Sequence, residues 1–112
     1  MPMGERRLLE PEELTRQEQE LCKRASEGRL LDLRSGRLEV DDPVKGDAWA
    51  SDRRIRAQVL YQLLTGHGPQ LAETVVAVRL CGAQIVGHLN LGGLRLSCTL
   101  ELSQCYVFHR VS

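Results

Sequence analysis

Two stretches of the chain carry apolar residues at the spacing of a helix. In the first, Leu14, Leu21 and Ala25 fall close to one stripe, and Gly28 follows as a terminator. Acidic residues crowd the start of this stretch and basic residues its end, which complements the helix dipole. The pattern predicts a helix over residues 8–27.

The second stretch has the clearer pattern. Ser51 is a good N-cap, and Ile55, Val59 and Leu63 recur at intervals of four residues. Gly66 ends the stripe, because glycine is a common helix terminator. A second helix is therefore predicted from Ser51 to Gly66.

The segment between the helices, residues 29–48, is predicted to be irregular apart from a short extended piece at residues 30–34. Trp49, the only tryptophan, comes just before the second helix. Two interpretations of Trp49 stay open. It is either a plug buried between a helical cap and the core, or a platform for a ligand.

After residue 71 the apolar period shortens to about two, in short pairs separated by four or five residues and often by glycine. Residues 78–86 also match residues 98–106 at an offset of twenty, with Leu80 over Leu100. Strands this short, bent every five residues or so, predict a square-sectioned β-coil whose turns stack on one another.

Charge is distributed unevenly although it sums to zero. Residues 1–56 hold 25 of the 30 charged side chains, and neither half has the basic excess that attracts nucleic acid. Arg53, Arg54 and Arg56 form either an anion patch or a solvated helix face. No apolar run reaches the length of a membrane helix and no signal-peptide pattern is present, so we expect no membrane association and a cytoplasmic location.

Within residues 77–91, the small residue Ala83 lies two positions before Ile85. This segment resembles the degenerate pentapeptide-repeat pattern of actinobacterial proteins. Upstream pieces are similar to the charged helical leader common in that family: Leu31–Arg34, Asp42–Pro43, Gly46, Trp49, Ile55–Leu60 and Leu63–Leu64.

The resemblance implies an α+β fold in two parts. An N-terminal cap of two helices, residues 1–70, would lie on a short right-handed quadrilateral β-helix, residues 71–112. Proteins of this family serve as scaffolds or binding surfaces. About three repeats are normally needed to bury a continuous core, and fewer fit here. An uncovered coil end, containing Leu100, Leu102 and Cys105, is therefore expected.

Residues suited to catalysis or metal binding form no recognised motif. Cys81, His88 and Cys98 would make a metal cluster only if successive coils brought them together. Cys105 and His109 are four residues apart, but both fall in a β-like tail that does not orient a nucleophile and its base. We predict no catalytic residue, no metal and no cofactor, and hence no enzyme activity.

The first functional hypothesis is a non-enzymatic scaffold or protein-interaction module of the pentapeptide-repeat type. Its contact surface would be the coil faces or the uncovered end at Leu100, Leu102 and Cys105, where two copies could pair as a homodimer.

The alternative hypothesis is a peptide substrate or precursor. In this case the folded leader presents the tail, residues 106–112, to a modifying enzyme. Tyr106, Phe108 and His109 would be the residues that are recognised or oxidatively cross-linked.

Overall fold

The computed structural model describes residues 9–42, 48–49, 51–65, 74–87 and 98–107. Within these ranges the chain forms a small α+β domain of three helices and two three-stranded parallel sheets. The helices are α1 (Arg16–Glu27), α2 (Leu38–Asp41) and α3 (Ala57–Thr65). The strands are β1 (Leu30–Asp32), β2 (Arg54–Arg56), β3 (Ala77–Cys81), β4 (Gln84–Val86), β5 (Thr99–Ser103) and β6 (Tyr106–Val107).

Helix α1 confirms the first predicted helix but begins eight residues later than expected. The Thr15 hydroxyl accepts a hydrogen bond from the Glu18 N–H at 3.3 Å, and the Glu18 carboxylate accepts one from the Thr15 N–H at 3.0 Å. This reciprocal capping box fixes the start. Pro11–Glu13 form a separate 3-10 turn. Gly28 ends the helix in the left-handed conformation, at φ 71°.

The second predicted helix is confirmed only in its later part. Residues 51–53 form a 3-10 turn and β2 follows, so α3 begins at Ala57 rather than Ser51. Ile55 belongs to the predicted apolar stripe, but it lies in a strand beside Ile85 and is fully buried. Strand pairing outweighs helix propensity here because propensity is worth only tenths of a kcal/mol, about 0.7 at most, per residue.

The chain alternates between the two sheets as it advances. One sheet has the order β1-β3-β5 and the other β2-β4-β6, and every pairing is parallel. The steps from β3 to β4 and from β5 to β6 are only two residues long. Each step contains a residue with positive φ, Gly82 at 72° and Gln104 at 49°. These left-handed residues turn the chain from one sheet into the other.

The predicted quadrilateral β-helix under a two-helix cap is wrong, because no β-helix is found in the described residues. In a regular solenoid, successive stacked strands are separated by a nearly equal number of residues. In the first sheet, Leu31 lies beside Leu80 and Leu80 beside Leu102, so the steps are 49 and 22 residues. Helices α2 and α3 lie within the longer step, and α1 packs beside β1, β2 and β3.

The twenty-residue self-match also gives the wrong register. Leu80 lies beside Leu102 and not beside Leu100, and the same 22-residue step joins Ile85 to Val107 in the second sheet. A shift of two residues keeps the inward and outward faces of a strand unchanged. The apolar alternation is therefore the same at an offset of 20 as at the true offset of 22, which is why the sequence pattern did not reveal the wrong register.

The hydrophobic core lies between α1, α3 and the inner faces of the sheets. Its largest fully buried apolar side chains come from all of these elements: Leu21, Ile55, Val59, Leu60, Leu63, Leu64, Val78, Leu80 and Ile85. Both sheets contain strands from each side of residue 70. The division into residues 1–70 and 71–112 stays a prediction.

A buried carboxylate joins α1 to β2. Glu18 is fully buried, and its Oε2 accepts a hydrogen bond from the Arg56 N–H at 2.9 Å. The Arg56 guanidinium donates to Oε1 at 2.7 Å and to the Glu13 carbonyl at 2.8 Å. Burial raises the pKa of Glu18, but these hydrogen bonds and that from Thr15 outweigh it and hold the pKa below its ordinary value.

Replacing Glu18→Ala should lower the free energy of unfolding by about 3 kcal/mol, because Arg56 and the Thr15 N–H lose their shared partner. Urea unfolding followed by circular dichroism measures this. Glu20→Ala is the matched control on the same helix, since Glu20 makes an exposed ion pair with Arg24. Equal losses in the two variants would contradict the role of Glu18.

Candidate functional site

The residues expected at the uncovered end lie in, or next to, the outer strands of the sheets. Leu100 and Leu102 are in β5, and Cys105 lies in the step to β6. All three are partly buried and pack against the hydrophobic core. Tyr106 begins β6 and is also partly buried. Phe108 and His109 fall outside the described residues.

We call the surface formed by Leu100, Leu102, Cys105 and Val107 the C-terminal edge. Strand β5 pairs with β3 on one side, and no strand of the described chain lies on its other side. The Ser103 carbonyl accepts a hydrogen bond from the Gly82 N–H at 3.1 Å, so the backbone groups of Ser103 point toward β3. Backbone groups alternate in direction along a strand, and those of Leu100 and Leu102 therefore point outward.

Burial shifts the pKa of every cysteine thiol of the described chain in the same direction. Burial raises the pKa of Cys81, Cys98 and Cys105, and it raises that of Cys22 to about 11. The Cys105 S–H lies 3.4 Å from the Ser103 carbonyl and 3.8 Å from the Leu80 carbonyl, both of which can accept from it. A nucleophilic cysteine needs the opposite shift in pKa, so this arrangement favours a packing role.

Neither candidate cluster of cysteine and histidine is complete within the described ranges. His88 of the Cys81/His88/Cys98 group and His109 of the Cys105/His109 pair both fall outside them. Among the residues that are described, no three His, Cys, Asp or Glu side chains converge where a metal ion could bind.

The three neighbouring arginines do not form one anion patch, because the structure sends them to different partners. Arg53 is buried and pairs with Asp41 at 2.9 Å. Arg54 donates to the Gln84 side chain at 2.9 Å across the β2–β4 pair. Arg56 bonds the buried Glu18 described above. Each guanidinium thus joins separate parts of the fold.

Arg53 is the centre of a buried polar cluster, with only 5% of the residue exposed. Its Nε donates to the Gly82 carbonyl at 2.9 Å, and its Nη1 donates to the Asp41 carboxylate at 2.9 Å. The guanidinium carbon stacks 3.7 Å above the centre of the Trp49 ring. Arg53 therefore connects the turn between the two sheets to α2 and to Trp49.

Asp41 supplies the other half of this cluster. Its carboxylate accepts hydrogen bonds from the Ser35 N–H at 2.8 Å, the Ser35 hydroxyl at 3.0 Å and the Gly36 N–H at 3.0 Å. Burial raises the pKa of Asp41, but these bonds and that from Arg53 outweigh it and leave the pKa below its ordinary value. The carboxylate thus folds residues 35–41 into a closed loop against the sheets.

Trp49 is buried at this cluster, with 4% of the residue exposed. Its indole Nε1 donates to the Val40 carbonyl at 2.6 Å. One ring face is covered by Arg53, which leaves little surface for a ligand. The burial of the ring favours the interpretation of Trp49 as a buried plug over that of a ligand platform.

Sequence reasoning missed the Glu18–Arg56 and Asp41–Arg53 pairs. The spacing of Thr15 and Glu18 is a capping-box signature and could have indicated the buried carboxylate. Nothing in the sequence signals that Asp41 meets Arg53.

The described side chains offer no set of nucleophile, base and orienting group. What they form is an apolar and polar interior, and β5 and β6 are the last strands of their sheets within the described ranges. No helix within these ranges is long and apolar enough to cross a membrane. In comparisons with known proteins, no family model matched the chain, and no curated protein or solved structure was significantly similar to it. The resemblance to pentapeptide-repeat proteins stays a prediction.

Gly82→Ala should destabilise the domain by about 2 kcal/mol or more, because φ is 72° and a Cβ would lie 2.5 Å from the Arg34 Cγ. Gly36→Ala is the matched control, since its φ is 91° and a Cβ would meet nothing within 4 Å. It should cost only the backbone strain, about 1 kcal/mol. Thermal and urea unfolding measure both variants, and equal costs would contradict the close packing at Gly82.

Acid should weaken the Asp41 cluster. A pKa held below the ordinary value of 3.8 gives stability that is present above this pH and is lost as the pH falls through the folded-state pKa. Trp49, the only tryptophan, reports on this region by fluorescence during urea unfolding at pH 7 and pH 3. Asp41→Asn should be less stable at pH 7 and should show a smaller loss on acidification. An unchanged loss would exclude Asp41 as a contributor.

Proposed function

We propose that this chain is a non-enzymatic protein-interaction module whose contact surface is the C-terminal edge. The observation that carries the proposal is that β5 is paired on one side only within the described chain. Its outward backbone groups, at Leu100 and Leu102, face no other strand of the described chain, and its leucines remain partly exposed. An outer strand of this kind is a template for pairing with another chain.

The interior of the domain supports a binding role of this kind. Leu100 and Leu102 lie beside Val78 and Leu80, which are fully buried, so β5 is held in place by the core. The Arg53 cluster fixes the turn at Gly82, whose N–H bonds the end of β5. A strand that is already ordered loses less conformational entropy when a partner binds.

The polar positions of β5 are also suited to reversible contact. Thr99, Glu101 and Ser103 are exposed on one face, whereas the leucines lie on the other. A partner strand would therefore extend the apolar face of the sheet and leave the polar face in water.

The alternative, a precursor that presents residues 106–112, has one observation bearing on it. Tyr106 and Val107 pair with β4 as strand β6, so the first two residues of the proposed tail belong to a sheet. Recognition of Phe108 and His109 by a modifying enzyme stays a prediction, and mass spectrometry of the natively produced protein tests it.

Site-specific photo-crosslinking tests the interaction surface. A photoreactive amino acid placed at Thr99 or Ser103, both exposed in β5, should give the same crosslinked protein in producing cells. The same residue placed at exposed Arg29 is the control and should not give that product. The purified partner should then slow amide exchange at Leu100 and Leu102. Identical products from Arg29, or unchanged exchange in β5, would contradict the proposal.

The partner could also be a second copy of the chain. Light scattering distinguishes this case, because a homodimer has twice the 12.6 kDa mass of the monomer. Leu100→Asn should then shift the equilibrium toward monomer. A monomer at all concentrations would exclude the homodimer and leave a different protein as the partner.

A further inference from the structure

We infer that the C-terminal edge selects an extended segment in which one basic residue lies between two apolar residues. This inference rests on the proposed function and specifies the chemistry of the partner. It follows from the charge and the apolar rows that the first sheet presents at β5.

The charge of β5 comes from one side chain. Glu101 lies between Leu100 and Leu102 in sequence, and Thr99 and Ser103 beside it are uncharged. The Glu101 side chain is 58% exposed, and its Oε1 lies 3.5 Å from the Arg79 Nε in the neighbouring strand. If a partner strand pairs with the outer side of β5, its residue opposite Glu101 would therefore have this carboxylate as its nearest charged group.

Arg79 does not cancel this preference. It lies one strand further in, and neighbouring strands are about 4.8 Å apart, so an added residue is about twice as far from Arg79 as from Glu101. Opposite charges directly across two strands stabilise the pair, whereas like charges destabilise it. A Lys or Arg is favoured at this position, and an Asp or Glu is disfavoured.

The flanking positions are apolar for a different reason. Leu31, Leu80 and Leu102 form a continuous row on the inner face, and Val78 and Leu100 form a second row. A residue placed next to Leu100 or Leu102 would extend these rows and cover leucine surface that is partly exposed. A charged side chain there would be buried without a partner.

Strand β3 is an internal precedent for this pattern. It places Val78, Arg79 and Leu80 beside the three central residues of β5, so the inner neighbour of β5 already reads apolar, basic, apolar. The pattern reads the same in both directions along a strand. The inference therefore holds for parallel and for antiparallel addition.

Two labelled peptides test the inference on the full chain by fluorescence anisotropy. One contains the β3 sequence Ala-Val-Arg-Leu with serine in place of the following cysteine, and the other carries glutamate in place of the arginine. The natural chain should bind the arginine peptide about fivefold more tightly, which is the size expected for a cross-strand charge pair.

Reversal of the charge provides the decisive comparison. Glu101→Lys should invert the preference, and Glu101→Gln should abolish it. Glu27→Lys reverses the charge at an exposed position of α1. It is the control and should leave the preference for the arginine peptide unchanged. Circular dichroism shows whether each variant is folded. If Glu101→Lys does not fold, the selection for a basic residue is tested by Glu101→Gln, which should bind the two peptides equally.

The outcomes separate the two levels of the proposal. Equal binding of both peptides to the natural chain would overturn the selection for a basic residue and leave the C-terminal edge as a contact surface. Binding of neither peptide at millimolar protein, with β5 amide exchange unchanged, would overturn the C-terminal edge itself.

Discussion

Parallel strand pairing is the constraint on which the rest of this structure depends. Two parallel strands cannot be joined by a hairpin turn, so the chain must travel to another element before it returns. Here it travels to the other sheet, and the six strands alternate between β1-β3-β5 and β2-β4-β6. Short strands are sufficient to build a core because paired apolar residues, such as Leu31, Leu80 and Leu102, form a row across the whole sheet. Helices α2 and α3 lie in the longer connections, and α1 and α3 pack against the sheets.

Buried charges hold the irregular parts of the chain to this framework. Glu18 joins α1 to β2 through Arg56, and Asp41 joins the loop at residues 35–41 to the turn at Gly82 through Arg53. Each carboxylate also accepts backbone N–H bonds, which is what makes burial of the charge tolerable. The Asp41–Arg53 pair gives the domain a defined geometry at the turn where the chain passes from one sheet into the other. The hydrogen bond from the Gly82 N–H to the Ser103 carbonyl connects this turn to the C-terminal edge.

The functional proposal follows from an asymmetry between the two ends of the first sheet. At one end, α1 packs beside β1. At the other, β5 carries partly exposed leucines and one carboxylate, and no strand of the described chain lies beyond it. Natural proteins protect such strands or use them. A charge at the centre of the strand serves both purposes, because Glu101 disfavours pairing with acidic segments and favours a basic one.

The sequence by itself determined the helix of residues 16–27, the helical core of residues 57–65 and the apolar alternation after residue 76, because these follow from local periodicity and capping. The same alternation puts Leu100 and Leu102 on one face of a strand, since a register error of two residues preserves the faces of that strand. Tertiary structure decided that residues 54–56 form a strand, since pairing of Ile55 with Ile85 outweighs its place in a helical stripe. Tertiary structure alone decided the unequal steps between paired strands, which exclude the predicted β-helix. It also decided that Asp41 pairs with Arg53. Both depend on long-range contacts, which leave no local pattern in the sequence.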